Sequence, residues 1–92
     1  EFIYNKDSKT ITCKGDCINL TKFEIIFIEL LTSNLGQVYS NDDIVSHYKT
    51  KEQDIDPTNI RKLVSKLRKK LPENSLDSIY GVGYKLNLQA IA

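Results

Sequence analysis

The chain has 92 residues, enough for one domain with a modest core and too few to hold a bulky active-site cleft as well. The formal net charge is only +1, which taken alone argues against an anionic partner. The average conceals a polarisation: residues 61–70 hold six of the thirteen basic residues, leaving seven basic against twelve acidic elsewhere, and such a distribution is the footprint of phosphate binding.

Residues 2–20 read as three short antiparallel strands: Phe2-Ile3-Tyr4, Thr10 to Cys13, and Cys17 to Leu20. Asn5-Lys6-Asp7-Ser8 and Lys14-Gly15-Asp16 separate them, because Asn, Asp, Ser and Gly favour tight reversals while β-branched runs favour strands. Thr21-Lys22-Phe23-Glu24 then fits a capping box, which starts a helix. Phe23, Ile26, Phe27, Leu30 and Leu31 recur at helical spacing, with Ile25 and Ile28 broadening the stripe, so this helix is expected to be the most buried. It ends at Asn34-Leu35-Gly36, with Gly36 left-handed, and Gln37-Val38-Tyr39 adds a short extended segment.

Ser40-Asn41-Asp42-Asp43 caps a second helix that runs to about Tyr48, with Ile44, Val45 and Tyr48 facing inward. Its paired acids sit where the helix dipole favours them, and no His, Ser or metal-ligand partner stands at a useful spacing, so they read as capping rather than catalytic carboxylates. Residues 49–55 form a polar connection to the third helix.

That third helix, 57–71, carries the strongest signal. Asp56 caps it, Pro57 occupies a first-turn position where a missing N–H costs nothing, and Pro72 stops it. Ile60, Leu63, Val64, Leu67 and Leu71 fall within an arc of roughly 100°, the width of a core-facing stripe. Thr58, Lys62, Ser65, Lys66 and Lys69 face the other way, with Arg61, Arg68 and Lys70 on the shoulders and no acid after Asp56. An ordinary solvated helix mixes both signs, so this acid-free face points to a polyanion. Glu73-Asn74-Ser75 then turns, and residues 76–88 read as a hairpin: Tyr84, Leu86 and Leu88 alternate with Lys85, Asn87 and Gln89, and Gly81-Val82-Gly83 supplies the reversal. That Gly-x-Gly lacks a third Gly and a following helix, so it is no nucleotide loop.

Cys13 and Cys17 with the single His47 fall short of four zinc ligands, and both cysteines read as free thiols. No cofactor or metal is expected, and no catalytic constellation, so the chain does not read as an enzyme. Glu1-Phe2-Ile3-Tyr4 lacks the pattern of a signal peptide and no apolar run is long enough to span a membrane, so a cytoplasmic location is expected. With no initiator Met ahead of a strand-like start, a single domain at 1–92 cut from a longer protein is expected.

Leu20-Thr21-x-x-Glu24, Leu67-Arg68-Lys69-Lys70-Leu71 and Gly81-x-Gly83-Tyr84-Lys85-Leu86, in this order, resemble the winged-helix DNA-binding domain of OmpR/PhoB-type response regulators. The resemblance spans nearly the whole chain. It implies an α+β winged helix-turn-helix of three helices, a small N-terminal antiparallel sheet and a C-terminal β-hairpin wing. It further implies the output domain of a two-component transcription regulator in a phosphorelay, with a receiver domain preceding it. Sequence-specific binding to double-stranded DNA would place helix 57–71 in the major groove and wing 76–88 near the adjacent groove, with a second copy on tandem half-sites. By position, loop 49–55 matches a segment that touches RNA polymerase.

Carried over residue by residue, the base-facing and phosphate-facing positions are Thr58, Asn59, Lys62, Ser65, Lys66 and Arg68. Lys66 is the leading base-reader, flanked by Asn59 and Lys62, while Arg68, Lys69 and Lys70 read as phosphate clamps. Ser78 matches a hydroxyl position that contacts phosphate, and Tyr80 and Tyr84 of the wing complete the candidates. Two departures stand out. Tyr80 replaces an Arg common before the wing's Gly-x-Gly-Tyr, so a sugar stack or a phosphate hydrogen bond takes the place of a guanidinium, and Ser65 stands where a second basic residue is frequent. The competing reading is a winged-helix protein-interaction module that docks an acidic partner on the same basic helix.

Overall fold

The computed structural model describes every residue except 1, 6, 14, 35, 72–74, 88, 89 and 92. Strands β1 (Phe2–Asn5), β2 (Thr10–Cys13) and β3 (Asp16–Ile18) lead into helices α1 (Lys22–Ser33), α2 (Asn41–Thr50) and α3 (Pro57–Lys70). Strands β4 (Leu76–Ile79), β5 (Gly83–Leu86) and β6 (Ala90–Ile91) complete the fold.

β1 pairs antiparallel with β2, and β2 with β3, as the turn chemistry predicts. Tyr4 lies opposite Ile11, and both are buried in the common core, whereas Ile3 on the other face is left exposed. β3 starts one residue earlier than expected and ends at Ile18; Leu20 is packed against the core and leads into the cap of α1. β6, not anticipated from the sequence, returns along β1 in parallel register, Ile3 opposite Ala90 and Tyr4 opposite Ile91. A two-residue strand is too short to show a period, so only the returning chain reveals it.

The predicted capping box at α1 is present, and the predicted cap of α2 also closes as a box. The Glu24 N–H donates to Thr21 Oγ1 and the Thr21 N–H to Glu24 Oε1; Asp43 and Ser40 make the same exchange at α2. Ile26, Phe27, Ile28 and Leu31 make α1 the centre of the core, and Gly36 takes φ 84° after its end. The predicted extended segment 37–39 contributes a single bridge at Tyr39. α2 continues two residues past Tyr48, so the connection to α3 is residues 51–56, shorter than the 49–55 stretch plus cap suggested. The loop is tied down: the Gln53 N–H donates to the Tyr48 carbonyl, Glu52 takes φ 58°, and Ile55 is buried.

α3 ends at Lys70 with Leu71 as its extended C-cap. Ile60, Leu63, Val64, Leu67 and Leu71 are all buried, as the helical wheel requires. Burying each is worth roughly 1.5–3 kcal/mol, several times an exposed ion pair, so the stripe decides which way α3 faces. The expected stop at Pro72, the turn at Glu73-Asn74, the last hairpin positions Leu88 and Gln89, Lys14, Leu35 and the Cys13 thiol lie outside the described residues and side chains. Cys17 carries an exposed free thiol. Gly83 is the first residue of β5 and not part of the reversal, which falls on residues 80–82.

Candidate nucleic-acid interface

α3 is a fourteen-residue helix, about 21 Å long at 1.5 Å per residue. Its buried stripe turns Thr58, Asn59, Arg61, Lys62, Ser65, Lys66, Arg68, Lys69 and Lys70 to the exposed side. Thr58, Lys62, Ser65 and Lys69 stand three or four residues apart, so they run in a row along the helix. Among the described residues no acid lies within ion-pair distance of Arg61, Lys62, Lys66 or Lys69. These cations lie on a rigid rod about as wide as the B-DNA major groove, and their surface is complementary in charge to a polyanion.

Two of the sequence-assigned cations have internal partners. The Lys70 ammonium donates to Glu24 Oε1 at 2.6 Å, and Glu24 is fully buried. Burial pushes the Glu24 carboxyl up, but the Lys70 ammonium and the Thr21 N–H outweigh it and hold the group below its usual range. Lys70 therefore ties the end of α3 to the start of α1. Arg68 reaches the hairpin, with Nη2 donating to Ser78 Oγ at 2.6 Å and Nε to the Leu76 carbonyl at 3.4 Å. It links the helix to the hairpin through two of its five donors.

The wing is fixed at its base. The Tyr39 N–H donates to the Tyr84 carbonyl and the Tyr84 N–H to the Tyr39 carbonyl, at 2.8 and 2.9 Å. A Cβ at Gly83 would come within 2.0 Å of the Tyr39 carbonyl oxygen, so the close approach requires glycine. The Tyr84 ring stands edge-on to Phe27 at 6.2 Å, which makes this candidate contact largely a core residue with one edge on the groove between α3 and the hairpin. Ser78 is exposed on that groove, and Tyr80 is fully exposed at the hairpin tip.

The helical wheel puts Arg61 on a shoulder of α3, and in the structure it lines both the groove between α3 and the hairpin and the groove under the hairpin tip. The wheel shows that Arg61 is outward; the position of the wing gives that direction its meaning.

A family model described as "Transcriptional regulatory protein, C terminal" matches residues 15–86. The chain belongs to this family. Its resemblance to the OmpR/PhoB type is borne out in family and in fold, down to the three helices and the hairpin wing. VxrB of Vibrio cholerae, a transcriptional regulatory protein, is 30% identical over 89% of this chain and 34% of its own length. The regulatory protein VanRB of Enterococcus faecalis is 34% identical over 83% of the chain and 34% of its own length. The chain thus spans about a third of the length of these curated relatives.

Among solved structures, the DNA-binding domain of Bacillus subtilis CssR superposes with a TM-score of 0.73 at 31% identity, covering 94% of this chain and 99% of that one. The AdeR DNA-binding domain, solved in complex with an intercistronic region, gives 0.74 at 27% identity, covering 88% and 87%. No described helix is long and apolar enough to cross a membrane.

Proposed function

We propose that this chain is the double-stranded DNA-binding output domain of a response regulator, with the outward face of α3 in the major groove and the β4–β5 wing beside the neighbouring one. The observation that carries the reading is the set of exposed cations, Arg61, Lys62, Lys66 and Lys69, with no acidic partner among the described residues, on a helix whose other face is locked into the core. The DNA-bound AdeR domain, alike in fold and 27% identical, supports it. Lys66 reads bases, flanked by Asn59 and Lys62 and by Thr58 and Ser65, while Lys69, Arg61 and the free donors of Arg68 meet phosphates.

The whole regulator, on this reading, is cytoplasmic and carries a receiver domain phosphorylated on an Asp. Two copies bind tandem half-sites, and the α2–α3 loop faces RNA polymerase. The test is a mobility-shift series of the chain on duplexes recovered from a random pool, at rising salt. Each phosphate contact should steepen the fall of log affinity against log salt by about 0.9. A chain that shifts no duplex even at low salt would not be a DNA-binding domain.

A further inference from the structure

Glu29 of α1 gathers cations from two other parts of the chain. Lys9 of the β1–β2 turn lies 2.8 Å from its Oε2, and Lys51, the C-cap of α2, lies 3.3 Å from its Oε1. The Lys9 hydrogen bond, with Lys51 behind it, outweighs burial and holds the Glu29 carboxyl below its usual range. Lys9 takes φ 56° and Glu52, next to Lys51, takes φ 58°; these are the two non-glycine residues with a left-handed backbone among those described. Such a conformation is unfavourable for an L side chain and persists where its surroundings hold it. One carboxylate thus fastens both strained turns.

The single His47 completes the cluster. Its Nε2 is buried, 3.9 Å from Glu29 Oε1, and has no hydrogen-bond partner among the described residues. Glu29 and Lys51 face the ring, Lys9 acts on it through Glu29, and the neighbouring Tyr4 and Tyr48 are pushed up by burial and stay neutral. A charged imidazole has to donate from both nitrogens, and the acceptor beside Nε2 is the oxygen that Lys51 already holds. We propose that Glu29 is a clamp on the β1–β2 turn and the α2–α3 loop, and that a proton on His47 opens its loop side by drawing Oε1 away from Lys51. Burial disfavours the charged ring most, Glu29 favours it and Lys51 opposes it, so the ring titrates below its ordinary 6.5. The closed clamp is therefore complete above that pH and is lost as pH falls through the folded value. Opening frees the loop start, where the Gln53 N–H bonds to the Tyr48 carbonyl at 2.9 Å. Lys9, Glu29, His47 and Lys51 border neither groove beside α3, so the loop loosens with the basic face intact, whether or not α3 holds DNA.

Amide and imidazole signals of the 92-residue chain are followed by NMR from about pH 7.5 to about pH 5, where one histidine gives one imidazole titration. Its midpoint should fall below 6.5. The Lys51, Glu52 and Gln53 amides should move with that midpoint. Once the ring is charged, protection of the Gln53 amide, corrected for intrinsic exchange, should fall about tenfold for each pH unit by which the midpoint lies below the ordinary value. His47→Gln should keep the loop closed across the range. Lys51→Gln should raise the His47 midpoint, whereas Glu29→Gln should lower it and displace the Lys9 and Glu52 amides even at about pH 7.

An imidazole midpoint at or above 6.5, or loop amides that stay still while the ring titrates, overturns the switch. So does loop movement in His47→Gln at the midpoint of the parent, which would assign it to another group. If His47→Gln alters the melting curve, the two midpoint shifts decide: Lys51→Gln and Glu29→Gln moving His47 in the same direction overturns the clamp. Signals throughout the chain moving together would report global unfolding and overturn it as well. Failure of the chain to bind any duplex would overturn the DNA reading alone, because no readout of the clamp uses DNA.

Discussion

Lys66 and Lys70 stand one turn apart on α3 in different surroundings. Lys66 is exposed with no acidic partner among the described residues, so its ammonium is available to a guanine edge. Lys66→Ala should cost about 1–3 kcal/mol on the selected site and much less on random duplex; equal losses on both would remove it as a base-reader. Lys70 is engaged with buried Glu24, which moves its expected effect from binding to folding. Removing it strands a buried carboxylate, and Lys70→Ala should lower stability by about 2 kcal/mol, less than for a fully buried pair because the ammonium is partly in water. The pH dependence has a definite sign. Glu24 is held below its ordinary value of 4.5, so its stabilisation is complete above that pH and is lost as pH falls through the folded value. In Lys70→Ala the upward push of burial acts with less opposition, and thermal melts from about pH 7 down to about pH 3 should show acid unfolding beginning at higher pH than in the parent.

At the scale of elements, the position of the wing depends on backbone contact as much as on side chains. Gly83 lies against the Tyr39 carbonyl, and Arg68 spans from α3 to Ser78 and Leu76. Gly83→Ala should unseat the hairpin and cost more than about 2 kcal/mol, since neither backbone can move aside without breaking the Tyr39–Tyr84 pair. A melting temperature within a degree or so of the parent would mean that the contact is slack. The helices were legible because each carries redundant signals: a capping box on α1 and α2, Asp56 and Pro57 on α3, and an apolar stripe on each. The strands were less so. β3 covers Asp16–Ile18 instead of Cys17 to Leu20, and β6 is a two-residue strand that pairs with β1.

At the scale of the molecule, the longest dimension is 33 Å, close to the roughly 34 Å of one turn of B-DNA. On the proposed reading, copies arranged head to tail with this axis along the duplex match a repeat of about 10 base pairs. Selection from random duplexes should return paired half-sites about 10 base pairs apart. Half-sites recovered singly or at irregular spacing would speak against tandem binding and leave the recognition helix unaffected.

The sequence by itself determined the helices, the orientation of α3 and the cationic character of its outer face. Those properties follow from local periodicity, capping and charge, which act over one or two turns and need no distant partner. Only the tertiary structure decided what each cation faces. Arg61, Arg68 and Lys70 look alike on a helical wheel, yet one faces open grooves, one bridges to Ser78 and one is bound to Glu24, forty-six residues away in sequence. The physical reason is that a charge takes its role from its nearest partner and its exposure. Both are set when α1 and the hairpin close on α3.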